Sequence, residues 1–111
     1  MHKKIYEALK SLCITPNLDG YGYITTALTI STDQIGATKN MTRLYAAVAK
    51  VHNTTASRVE RAIRHSIASG FKLADTAAKE RFFNPHSYEE QPINSMFIAS
   101  VAERLMLEGE E

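Results

Sequence analysis

The sequence predicts an all-α fold, with residues 1–111 forming a single domain of about six helices that contains a helix-turn-helix. Three observations predict it. Apolar residues recur at helical spacing in most segments. Residues 21–31 would also allow a strand, but no second strand is predicted nearby to pair with it, and a lone strand is not stable. The length of 111 residues is enough for one hydrophobic core but not for two.

Two helices are predicted in the first third of the chain. The first covers about residues 3–13 and ends before Pro16, because the residue before a proline avoids the helical region. Its apolar positions at helical spacing are Ile5, Ala8, Leu9 and Leu12. A turn over residues 18–20 precedes the second helix, residues 21–31, the segment that would also allow a strand. Residues 32–39 are polar and predict a loop or a single short turn.

The centre of the chain predicts two helices joined by a tight polar turn, residues 53–55. The first covers about residues 41–51, with Asn40 or Thr42 as its N-cap. Its inward positions are Leu44, Tyr45, Val48 and Val51. The second covers about residues 55–69, with Gly70 as its candidate stop, although Ser57 and Glu60 also have the spacing of a capping box.

The second of these central helices has two contrasting faces. Placing residues 100° apart puts Val59, Ile63 and Ile67 on one apolar stripe. The far side carries polar and cationic side chains, flanked by Glu60: Ser57, Arg58, Arg61, Arg64 and His65. One face is therefore built for burial and the other for an anionic partner, as in the recognition helix of a helix-turn-helix over about residues 41–69.

The last third of the chain predicts two more helices. A short one covers residues 72–81, with Leu73, Ala77 and Ala78 inward. Residues 84–93 contain two prolines and predict an exposed loop. Asn94 or Ser95 then caps a last helix. The buried stripe of that helix is Phe97, Ile98, Val101, Ala102 and Leu105.

Charge is distributed unevenly along the chain. Residues 39–81 hold nine basic residues against three acidic ones, whereas residues 82–111 hold one basic residue against six acidic ones. A basic middle with an acidic tail favours one anion-binding surface. Charge alone is equally consistent with a solvated surface that has no partner.

The residues that catalysis or metal binding would need are not grouped in the sequence. The four histidines, His2, His52, His65 and His86, lack the spacing of a helical metal pair. Cys13 is the single cysteine, so it predicts a small buried hydrophobe in a reducing cytosol. We therefore expect no enzyme, no cofactor and no metal. The sequence also lacks a signal peptide and an apolar run long enough to span a bilayer, which predicts a cytoplasmic protein with no membrane partner.

The arginine face predicts contacts with bases. Arg58, Glu60 and Arg61 occupy the leading turns, from which a helix in the major groove reaches base edges. Arginine can donate two hydrogen bonds to guanine, and a carboxylate can accept one from cytosine. The alternative to base contact is an ordinary solvated helix without a partner, in which Glu60 and Arg64 form an i,i+4 ion pair.

Other polar residues around the helix predict contacts with phosphates. Thr54, Thr55 and Ser57 lie at its N-terminus, where free N–H groups favour anions. Arg64 and His65 lie one turn beyond the base-contact residues, on the side of the DNA backbone. RNA binding is a weaker option, because no aromatic stacking platform is evident. The aromatic residues Tyr45, Phe71, Phe82 and Phe97 are expected in the core.

Three segments resemble the C-terminal effector domain of the stage-zero sporulation protein A family. Residues 53–65, NTTASRVERAIRH, resemble the family's recognition-helix signature. Residues 20–24, GYGYI, resemble its early Gly-Tyr-x-Tyr helix, and residues 92–105, PINSMFIASVAERL, resemble its last helix. The likeness runs in the same order from about residue 5 to residue 108.

The resemblance implies a six-helix domain that binds double-stranded DNA and regulates transcription at a short promoter box, often as two domains on adjacent boxes. It implies the same roles for Arg58, Glu60 and Arg61 at bases, and places Ser57, Arg64 and His65 near the backbone. It also implies contact with the RNA polymerase sigma factor through the segment after the recognition helix.

Residues 31–43 and 72–91 depart from the family pattern, and no part of this sequence resembles the receiver domain that precedes the family's effector domain. The chain is therefore expected to be either an excised effector domain or a relative without a receiver. The alternative function is an interaction module that modulates a full-length regulator or RNA polymerase without reading DNA itself.

Overall fold

The chain forms six α-helices and one short 3-10 turn in the residues that its computed structural model describes, 2–83 and 90–109, and no strand occurs in these ranges. The helices are α1 (His2–Ser11), α2 (Tyr21–Asp33), α3 (Met41–His52), α4 (Ala56–Phe71), α5 (Thr76–Phe82) and α6 (Asn94–Gly109). The predicted all-α fold is confirmed, and so is the choice of a helix over a strand for residues 21–31. Residues 84–89, most of the predicted proline-containing loop, lie outside the described residues together with His86.

The α1 helix ends two residues earlier than predicted, because the chain reverses at Cys13. That residue has a left-handed backbone with φ 60. The Ile14 N–H donates to the Leu9 carbonyl at 2.8 Å, and the Cys13 N–H donates to the Lys10 carbonyl at 3.0 Å. This is the Schellman pattern of a helix C-terminus. Cys13, expected to be buried, is therefore only half-buried at the turn.

Helix α2 lies at the centre of the packing. It contacts α6 most extensively and also packs against α1, α3 and α4. Its buried residues Ile24, Ala27 and Leu28 recur at helical spacing. The loop after α2 contains Gly36 with φ 84 and then the 3-10 turn Ala37–Lys39, so the predicted short turn is present. Of the two candidate caps of α3, Asn40 is the one that accepts a hydrogen bond from the Arg43 N–H.

The predicted core is confirmed in α4 and α6. Val59, Ile63 and Ile67 are fully buried, and all five residues of the predicted α6 stripe are buried. Phe71, Phe82 and Phe97 are buried as expected, and Tyr45 is half-buried. The hydrophobic faces of the helices therefore point towards one another, as periodicity predicts.

Several predicted inward positions are wrong. Val51 is 66% exposed and Leu73 is 70% exposed. Ala77 is also exposed, whereas Ala78 is half-buried and packs against the core as predicted. Leu73 lies in a turn, with its N–H bonded to the Gly70 carbonyl. Helix α5 begins only after its N-cap, Asp75, and the side chains that this region places in the core are Ala74, Phe83 and the expected Phe82.

No helix in the described part of the chain is long and apolar enough to cross a membrane.

Candidate nucleic-acid interface

A short turn between α3 and α4 sets the start of the predicted recognition helix. Asn53 adopts a left-handed conformation with φ 53 and ψ 51. The Thr54 N–H donates to the Ala49 carbonyl at 3.0 Å, which closes the end of α3. Thr55 is the N-cap of α4, because its hydroxyl oxygen accepts from the Arg58 N–H at 3.2 Å. The capping box suggested by Ser57 and Glu60 is therefore not the start of the helix.

The two faces of α4 are separated as the sequence predicts. The fully buried stripe is turned towards the rest of the domain. On the far side Ser57, Arg58, Arg61, Arg64 and His65 are all exposed. Thr54 is half-buried in the turn and Thr55 is exposed. Because packing holds the apolar face of α4 against the domain, the direction in which the cationic face points is fixed as well.

Arg58 and Arg61 are exposed on α4. Within residues 2–83 and 90–109, neither guanidinium forms a salt bridge. Glu108, from the acidic tail, bonds to Arg81 and Arg104 instead. Hydrogen bonds from Arg81 are the main reason that the pKa of the Glu108 carboxyl lies below its ordinary value. This part of the tail therefore does not screen the arginine face.

Glu60 and Arg64 do form the i,i+4 ion pair that is also expected of a solvated helix without a partner. Arg64 Nη1 lies 2.9 Å from Glu60 Oε1, and the Arg64 side chain is 52% exposed. An exposed pair of this kind contributes little to stability. The pair balances part of the Arg64 charge, and one Glu60 oxygen already accepts a hydrogen bond.

A cleft of about 580 Å³ lies beside the arginine face. Arg58, Arg61 and His65 of α4 form one side, and Tyr23 of α2 lines it as well. The Tyr23 ring is half-buried. It packs edge-on against His52 at 5.0 Å between centroids. The His52 Nε2 atom lies 2.7 Å from the Thr26 hydroxyl, so the start of α2 and the end of α3 are joined beside the cleft.

In the part of the chain that the structure describes, no group of three histidine, cysteine, aspartate or glutamate side chains is placed to bind a metal ion. The site is instead a cationic helix face with polar side chains at its N-terminal end. Such a face suits an extended polyanion, whose phosphates attract the charges and whose base edges accept hydrogen bonds.

Comparison with protein families decides which class of domain this is. The family described as Sporulation initiation factor Spo0A C terminal matches residues 5–105, nearly the whole chain. The chain belongs to this Spo0A C-terminal family. The family consists of DNA-binding regulatory domains and not of enzymes, so the chain is a DNA-binding effector domain of the sporulation-regulator type. The segments that depart from the family pattern, 31–43 and 72–91, lie inside the matched range.

Two residues hold α4, the predicted recognition helix, through contacts that sequence reasoning does not indicate. Asn94, predicted to cap α6, is its first residue and is 8% exposed. Its Nδ2 group donates to Tyr45 Oη at 3.0 Å and to the Glu60 carbonyl at 3.1 Å. Burial raises the pKa of the Tyr45 hydroxyl, while the hydrogen bond from Asn94 opposes that rise, and the nearby Glu60 carboxylate adds to it.

The second missed residue is Gly20, just before α2. Its N–H donates to Ser66 Oγ of α4 at 2.9 Å. A side chain at this position would collide with the Ala62 carbonyl of α4. Sequence reasoning predicts Gly20 as the end of a turn and as the start of the segment that resembles the family's early helix, and neither pattern indicates that a second helix lies against it.

Proposed function

We propose that this domain regulates transcription by reading a specific double-stranded DNA sequence, with the N-terminal half of α4 in the major groove. One observation carries the proposal. Arg58 and Arg61 are exposed on the first two turns of α4, opposite a fully buried apolar stripe, and neither pairs with an acidic side chain of the described residues. A helix whose apolar face is packed against the domain and whose opposite face exposes two guanidinium groups is suited to base contacts.

The proposed base contacts come from Arg58, Glu60 and Arg61. Each arginine can donate two hydrogen bonds to the acceptor edge of a guanine, and Glu60 can accept from a cytosine amino group. Because Glu60 already bonds to Arg64, a contact with cytosine uses its second oxygen or displaces Arg64 towards a phosphate. Both outcomes leave Glu60 able to disfavour purely non-specific phosphate binding.

The proposed backbone contacts surround these residues. Thr54, Thr55 and Ser57 lie where the free N–H groups of α4 attract a phosphate. The Thr55 oxygen caps the helix while its hydroxyl hydrogen remains able to bond a phosphate oxygen. Arg64 and His65 are exposed one turn further along, within reach of the neighbouring backbone.

The family resemblance supports the wider partners in this proposal. It suggests two domains side by side on adjacent boxes, and contact with the RNA polymerase sigma factor through the segment after α4. That segment departs from the family pattern, whereas the residues of α4 proposed to contact DNA match it. A regulator that reads chromosomal DNA in a bacterium works in the cytoplasm.

The first test is Arg61→Ala. A duplex enriched by this protein from a randomised pool serves as the preferred site, and a scrambled duplex serves as control. We expect a loss of about 1–3 kcal/mol on the preferred duplex and relaxed preference at one base pair, because a bidentate contact disappears. Equal losses on both duplexes in a gel-shift titration would contradict the base-reading role. If the protein shifts no duplex but co-purifies with a full-length regulator or with RNA polymerase, the interaction-module alternative is favoured.

The second test is Arg64→Ala, which removes a proposed phosphate contact. We expect similar losses on preferred and scrambled duplexes, and a plot of log K against log salt that is shallower by about 0.9, because one fewer counterion is released. Glu60→Gln is the matched control, since it frees Arg64 from its ion pair and should not make the slope shallower. If the salt slope does not change in Arg64→Ala, Arg64 does not contact the DNA backbone.

A further inference from the structure

We propose that Asn94 is a positioning residue for base recognition, because it holds the leading turns of α4 in the orientation from which Arg58 and Arg61 reach the bases. This inference rests on the proposed DNA-reading function. Asn94 lies on a different helix from the arginines and has no place in the predicted interface. It acts through its hydrogen bond to the main chain of Glu60.

The geometry of Asn94 suits this role. It is buried at the first residue of α6, and its amide nitrogen donates to acceptors on two different helices, Tyr45 of α3 and Glu60 of α4. The two N–H bonds of the amide group provide one donor for each acceptor. One side chain thereby joins α6 to both helices of the helix-turn-helix.

The position of the Glu60 carbonyl explains why recognition should be sensitive to this contact. Glu60 lies between Arg58 and Arg61 in the sequence, on the second turn of α4. The Ser66 contact with Gly20 and the approach of Gly70 to the turn that follows α1 hold the middle and the end of α4. Without Asn94 these anchors and the buried stripe keep α4 folded in place, while its leading turns gain freedom to rotate.

Rotation of the leading turns would disturb base contacts more than phosphate contacts. A paired hydrogen bond to a base edge tolerates errors of only roughly 10–20°. Attraction to the phosphates depends on distance and charge, and changes little with such a rotation. The expected signature is therefore a loss of sequence preference with little loss of general DNA affinity.

The experiment compares Asn94→Ala with Tyr45→Phe. Asn94→Ala removes both hydrogen bonds, whereas Tyr45→Phe removes only the hydroxyl of Tyr45 and leaves the bond to the Glu60 carbonyl. Affinity is measured for the duplex enriched by the unaltered protein and for a scrambled duplex, at a temperature where thermal melts show every variant folded. Asn94→Asp is the reserve variant. It keeps the side-chain size and can accept from Tyr45, but its ionised form cannot donate to Glu60.

We expect the ratio of preferred to scrambled affinity to fall about tenfold in Asn94→Ala and in Asn94→Asp, the size of one lost base contact. In Tyr45→Phe the ratio should stay within about twofold of the original. If Tyr45→Phe lowers the ratio as much as Asn94→Ala, or if both asparagine variants keep it, the positioning role is wrong. If the unaltered protein itself shows no preference for any duplex, the proposed function fails first.

Discussion

Replacing Gly20 with alanine is expected to lower the free energy of unfolding by about 3 kcal/mol, the upper part of the range for overpacked sites. The new Cβ would collide with the Ala62 carbonyl and crowd Ser66 Oγ. The obstacle is main chain inside α4, so no side-chain rotation relieves it. The backbone at Gly20 has φ −82 and ψ −4, which any residue adopts, so backbone strain adds nothing to the loss. Urea unfolding followed by circular dichroism measures it.

Gly22→Ala is the matched control, two residues away in α2. A Cβ there meets only His52 Cε1 at 3.5 Å, which is ordinary contact. Alanine in a helix is better than glycine by about 0.5–1 kcal/mol, so this variant should be as stable as the original or more stable. If Gly20→Ala and Gly22→Ala unfold at the same urea concentration, the close approach of α2 to α4 is not present in solution.

The glycines show where sequence reasoning ends. Local rules predict that Gly20 is part of a turn and that Gly70 ends a helix. Yet α4 continues through Gly70 to Phe71, and a Cβ at Gly70 would lie 2.8 Å from the Leu12 carbonyl oxygen. Both glycines are needed because another segment of main chain comes close. Their partners are distant in the sequence, and helical periodicity carries no information about such contacts.

Periodicity succeeds where burial follows directly from helix geometry. It predicts the buried stripes of α4 and α6, and with them the direction of the arginine face. It fails for Val51 and Leu73, which are apolar but lie at a helix end and in a turn, where the helical pattern does not determine the neighbours. Asn94 was recognised as a helix-start residue, but its partners, Tyr45 and Glu60, follow only from the docking of α6.

The buried stripe leads to the second large effect, a loss of stability in Ile63→Ala. Ile63 is fully buried under the middle of α4. Removing the outer part of its side chain leaves a cavity, and such changes lower the free energy of unfolding by about 2–5 kcal/mol. For a domain of this size, a loss of about 3 kcal/mol lowers Tm by roughly 13 °C. Val51→Ala is the matched control, because the exposed Val51 should lose less than about 0.5 kcal/mol.

Ile63→Ala and Arg61→Ala together separate the two faces of α4. Below its melting temperature, Ile63→Ala retains all the groups proposed to contact DNA, so its folded fraction should bind the preferred duplex with affinity within about threefold of the original. Arg61→Ala should show the reverse, an unfolding free energy within about 0.5 kcal/mol of the original and a weakened preferred complex. Thermal melts and gel-shift titrations on both variants measure this contrast. A parallel loss of stability and affinity in both variants would mean that the cationic face also holds the fold together, contrary to its exposure.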